Sequence, residues 1–101
     1  MAHLGEAIDA HLAVVVGDDA VLHADLRRAF RESALGMVDL LERARCDANW
    51  VVAAERLENL AATFHGDELL TLARRAAAGA PGDPAILREI RALLREIEPY
   101  G

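Results

Sequence analysis

The chain has 101 residues, 53% of them hydrophobic but only 4% aromatic, and a net charge of −6. That length fits one domain with one modest core, which Leu, Ile, Val and Ala have to fill. The acidic balance argues against a nucleic-acid partner and against an anionic membrane surface, since both need a basic face. All eleven basic residues are Arg, and Cys46 is the one cysteine, so no internal disulfide forms and a reducing, cytoplasmic setting is expected. The longest apolar run, Leu12 to Val16, is too short to cross a bilayer, and nothing resembles a signal peptide.

Five helical segments follow from the period of the apolar residues. The first runs roughly from Leu4 to Val15 and ends near Gly17. The second opens at Asp18 or Asp19, either of which can cap it, and continues to about Arg45. Its predicted inward stripe is Leu22, Leu26, Ala29, Ser33, Met37, Leu40 and Ala44. Asp47 is the expected cap of the third helix, whose Trp50, Ala53, Ala54, Leu57, Leu60, Ala61 and Phe64 share one face. Gly66 is expected to close that helix in the left-handed conformation.

Asp67 then reads as the cap of a fourth helix with Leu69, Leu70, Ala73, Ala76 and Ala77 on its apolar side, closed by Gly79. After the turn Ala80-Pro81-Gly82, Asp83 caps a fifth helix with Pro84 at its first position, where a missing N–H costs nothing. Ile86, Leu87, Ile90, Leu93, Leu94 and Ile97 form its stripe. Pro99, Tyr100 and Gly101 read as a frayed end. The fold class predicted is all-α: an antiparallel, up-down four-helix bundle with an extra short N-terminal helix that covers one end, extends it, or mediates self-association.

The third helix has an outer face with a polar centre and an apolar border. At 100° per residue, Glu55 and Asn59 point away from the core, flanked by Val51, Val52, Ala62 and Thr63. On the second helix, Leu35 falls opposite the predicted stripe and Val38 at its edge. Together these residues make a predicted docking patch. The alternative is an ordinary solvated face with stray apolar residues.

The run Ala53-Ala54-Glu55-Arg56-Leu57-Glu58-Asn59-Leu60-Ala61-Ala62-Thr63-Phe64-His65-Gly66 resembles the central motif of histidine phosphotransfer (HPt) domains, Ala-His-x-Leu-Lys-Gly followed by small residues and a Phe-Gly pair. Asp67 to Arg74 resembles that family's next helix, and Leu26 to Ala34, with Phe30, its second helix. The similarity covers about residues 8–97. It implies an HPt-type bundle and a place in two-component phosphorelays, with a response-regulator receiver domain or a histidine kinase as partner and no cofactor.

The departures from the motif fall on the chemistry. The family's phosphorylated histidine aligns with Glu55, its lysine with Glu58 and its glycine with Asn59. A phosphoacceptor needs an exposed imidazole nucleophile, a nearby cation for the phosphoryl oxygens and clearance for the partner's active site. Glu55 is a weak nucleophile, Glu58 reverses the supporting charge, and Asn59 adds bulk. The resemblance therefore implies a degenerate, non-enzymatic member with no catalytic residue. Its receiver or kinase contacts would be Val51, Val52, Glu55, Glu58, Asn59, Ala62, Leu35 and Val38. Against a receiver's acidic, cation-holding site, Glu55 either repels, reaches the metal, or mimics phosphohistidine with less charge.

Two further readings stay open. One is active phosphotransfer through another histidine among His3, His11, His23 and His65; His65 lies ten residues from Glu55, about 15 Å along a helix. The other is a structural or oligomerisation module, monomeric or weakly dimeric. No two histidines have helical metal-pair spacing, so no metal site is expected. Cys46, near a helix end, reads as inert, and no phosphate loop or nucleophile triad appears.

Overall fold

The computed structural model describes residues 3–97, so the C-terminal Pro99-Tyr100-Gly101 lies outside the described residues. Five α-helices follow in order: α1 (His3–Val16), α2 (Ala20–Arg43), α3 (Asp47–Thr63), α4 (Asp67–Ala78) and α5 (Pro84–Leu94), with a 3-10 turn at Arg95–Ile97. The described residues contain no strand. α2 packs on α3, α3 on α4, α4 on α5, and α5 returns to α2, so four helices surround one apolar core.

The helix starts show where an acidic residue caps and where it only follows the cap. Asp19 caps α2, its Oδ1 accepting from the Leu22 N–H at 3.0 Å, and Asp83 caps α5, accepting from the Ala85 N–H at 2.9 Å with Pro84 behind it. Each such cap satisfies one amide that has no partner within its helix. Asp47 and Asp67, by contrast, already sit in the first turns of α3 and α4. The capping positions there are Cys46 and Gly66, and neither makes a side-chain cap bond. An acid in a first turn still favours the positive end of the helix.

The end of α3 also differs from expectation. His65, not Gly66, is the left-handed residue, at φ 59°. His65 N–H donates to Ala62 O at 3.3 Å and Gly66 N–H to Ala61 O at 2.8 Å, the two-bond pattern that closes a helix around a left-handed residue. Gly66 matters for a different reason. A Cβ there would meet Leu4 Cδ1 at 3.0 Å and Ile8 Cδ1 at 3.3 Å, so the glycine lets α1 cross close to the α3–α4 junction.

α1 is part of the core and more than a cover for one end. Leu4, Ile8 and Leu12, spaced by four, are all buried, and α1 packs on α2, α4 and the 3-10 turn. Burying three such side chains contributes roughly 5–9 kcal/mol as an upper bound. The far end of the molecule touches the same helix: the Leu4 N–H donates to Glu96 Oε1 at 3.2 Å. Arg27 ties three segments together, its Nε donating to Asp9 Oδ1 at 3.1 Å and its Nη1 to Ile97 O at 3.3 Å.

The inward face of α2 is rotated from the predicted stripe. Phe30, Ala34, Val38 and Leu41 are buried; Leu26, Met37 and Ala44 are half-buried; Leu22, Ala29, Ser33 and Leu40 face solvent. Phe30 decides the rotation, because its ring packs on Phe64 with centroids 4.9 Å apart. α3, α4 and α5 bury the faces their periodicity predicts. The largest of those side chains, Trp50, donates its Nε1–H to Ala76 O at 2.7 Å, a buried bond. Ala76 lies in the last turn of α4, where carbonyls lack helical donors, so the indole caps that helix from α3.

Candidate functional site: the outer face of α3

The inner face of α3 is fixed by Trp50, Ala53, Ala54, Leu57 and Ala61, all buried. Helical geometry then forces the opposite residues outward. Glu55 and Asn59 are exposed, as are Val52, Ala62 and Thr63, while Val51 is half-buried against the core. Thr63 is turned back, its Oγ1 donating to Asn59 O at 2.9 Å. Glu55 has no charged or hydrogen-bonding side-chain partner among the described residues.

Glu58 differs from Glu55. Its Oε1 accepts from Arg74 Nε at 3.0 Å, and its side chain is about two-thirds buried. The sequence shows two acids three positions apart, but α4 supplies a cation to one of them. Glu55 is therefore the unneutralised acid at the centre of the face. Arg74 is the less buried partner of that pair, so the bridge adds little stability and mainly sets local charge.

The predicted α2 part of the patch is corrected. Val38 is fully buried in the core, and Leu35 is half-buried against it, so neither extends the α3 surface as expected. The rotation of α2 brings out Leu40 instead, which is 41% exposed. A shallow groove of ≈ 290 Å³ joins Leu40 to Val52, which is 48% exposed, with Arg43, Asn49 and Arg56 around them. The sequence reading missed Leu40, Arg43 and Arg56. The signal was present in Phe30, since placing that ring inward turns Leu40 out.

The histidines lie elsewhere. His65, exposed after the last turn of α3, stacks on His11 of α1 with centroids 4.1 Å apart and planes 14° from parallel. His23 Nε2 lies 3.0 Å from Asp9 Oδ1. No cluster of three or more His, Cys, Asp or Glu suited to a metal occurs among the described residues. Cys46 is a free, exposed thiol at the start of α3. No helix among the described residues is long and apolar enough to cross a membrane.

No protein-family model, curated protein or solved structure matches this chain.

Proposed function

We propose that this protein is a phosphotransfer-like docking module of two-component signalling. It binds a response-regulator receiver or a histidine kinase through the outer face of α3 and carries no phosphate at position 55. The observation that carries the reading is the pairing of an exposed, unneutralised Glu55 with the apolar Val52–Leu40 groove beside it. The finer arrangement belongs to the same proposal, an antiparallel HPt-type bundle with α1 added, and the ring of contacts among α2 to α5 is compatible with it. The resemblance of Ala53 to Gly66 to the HPt motif gives the partner class.

The charge pattern fits such a partner. Receiver sites are acidic, and Arg56 gives the groove positive charge, with Arg43 beside it already paired to Asp39 at 3.0 Å, while Val52 and Leu40 supply apolar contact. Glu55 lies at the phosphoacceptor position without an imidazole. It offers a carboxylate where the family offers a nucleophile, so the module engages the partner without accepting the group it transfers.

Titration of the full chain against receiver domains and kinase dimerisation domains from the same organism tests this. We expect saturable binding that Val52→Asp and Glu55→Ala each weaken. Binding to none of them, or binding indifferent to both substitutions, overturns the reading. Incubation with a phosphorylated receiver should leave the chain without acid-labile phosphate. Acquired label would instead place a working phosphoacceptor on another histidine, with His65 the first to substitute.

A second reading, a self-association module, is favoured by the apolar surface around the α1–α2 turn, where Val14, Val15 and Val21 are 85%, 60% and 73% exposed. Because α1 carries core residues, point changes test it better than deletion. A dimer in sedimentation that Val14→Glu with Val21→Glu dissociates supports it; a monomer at all concentrations removes it.

A further inference from the structure

A second, larger cavity of ≈ 590 Å³ lies between α1, the α1–α2 turn, one side of α2 and Ile97, and none of its lining residues comes from α3 or α4. Three arginines within about one helical turn of α2, Arg27, Arg28 and Arg31, line it. Two of them are matched. Arg27 is held by Asp9 and Ile97 O, and Arg28 Nη2 donates to Asp25 Oδ1 at 2.7 Å. Arg31 forms no ion pair among the described residues, and its Nε is buried with no acceptor. A buried N–H without an acceptor is uncommon in folded proteins and calls for a physical reason.

We infer that this cavity binds a small organic monoanion with an apolar body, and that Arg31 takes its carboxylate. The lining sets three acids, Asp9, Asp18 and Asp19, against three arginines, so the cavity as a whole is near neutral. Its one local excess of positive charge is the unpaired Arg31 guanidinium, enough for a single anionic group, while Asp18 and Asp19 repel anything carrying several. Nε is shielded in this structure, so the guanidinium has to turn about its stem to meet a ligand. Once turned into the cavity, its Nε and one Nη face two carboxylate oxygens side by side, and the orphaned Nε gains the acceptor it lacks. Ala20, Ala24 and Ile97 provide apolar walls for the rest of the ligand. The volume lies within the roughly 300–1,000 Å³ usual for small-molecule sites.

The test is a titration of the full, isotope-labelled chain with sodium octanoate, and in parallel with 1-octanol, followed by NMR. Octanoate should shift the Arg31 Nε–H resonance and the first three turns of α2 saturably. Octanol, with the same tail and no charge, should bind at least about tenfold more weakly. Arg31→Gln should weaken octanoate binding about tenfold, and Arg31→Lys, which keeps the charge and loses the fork, should also weaken it. Arg88→Gln, which removes an exposed arginine of α5 outside the cavity, should leave the affinity within about threefold. Val52→Asp should not alter it, which separates this site from the α3 face. An octanol affinity equal to octanoate, an Arg31→Gln or Arg31→Lys chain of unchanged affinity, or no saturable response overturns the assignment.

Discussion

Replacing Trp50 with Phe tests the most consequential single contact in the core. Trp50 is buried, it is the only tryptophan, and its Nε1–H is the donor to Ala76 O in the last turn of α4. Phe keeps most of the ring but has no donor. Leaving that carbonyl unmatched costs about 1–3 kcal/mol, and the smaller ring leaves a void worth about 1 kcal/mol more. The sum, about 2–4 kcal/mol, is a large part of the ~5–15 kcal/mol expected for a domain of this size. Urea unfolding followed by far-UV circular dichroism should show the loss as a lower midpoint with the slope preserved, and the melting temperature should fall by roughly 10–20 °C. Amide exchange should speed up first in the last turn of α4. A loss below about 1 kcal/mol refutes the claim that the indole is the donor this helix end depends on.

Other substitutions probe the junctions. Gly66→Ala should destabilise by about 1–2 kcal/mol, because its Cβ drives into Leu4 and Ile8; thermal unfolding reads this directly. At His65, Val should cost about 1–2 kcal/mol while Gly should be tolerated, since the position is left-handed; equal stabilities for the two would contradict the backbone conformation. Asp19→Ala should cost about 1 kcal/mol by removing the cap of α2. Asp47→Ala, which removes no cap bond, should cost less, and the two are compared by chemical denaturation.

Where the sequence was legible and where it was not follows from particular residues. α3, α4 and α5 each have one clean apolar stripe, so their buried faces could be read from spacing alone. α2 has apolar residues around most of its circumference, from Val21 and Leu22 through Leu35 to Leu40 and Leu41. Period alone then allows more than one inward face, and the choice was made by the Phe30–Phe64 contact, a tertiary fact. The same ambiguity misplaced Val38 and hid Leu40. On α3, the exposure of Glu55, Asn59, Val52 and Ala62 came through because the opposite face was unmistakable. The neutralisation of Glu58 did not, because Arg74 lies sixteen positions away on another helix. Asp47 and Asp67 were one position off as caps because an acid is favourable both at the cap and just inside it.

The bond from the Leu4 amide to Glu96 spans 92 positions of sequence yet only 3.2 Å. With Arg27 holding α1, α2 and Ile97 together, the two described ends of the chain meet at one place, and the path of the backbone is nearly a closed circuit. The order of the helices along the chain is therefore a matter of where that circuit is cut. A permutant that links Ile97 to His3 by a short flexible segment and opens at the exposed turn Ala80-Pro81-Gly82 would break no core contact and should fold to the same arrangement. It would also present α5 as the leading helix.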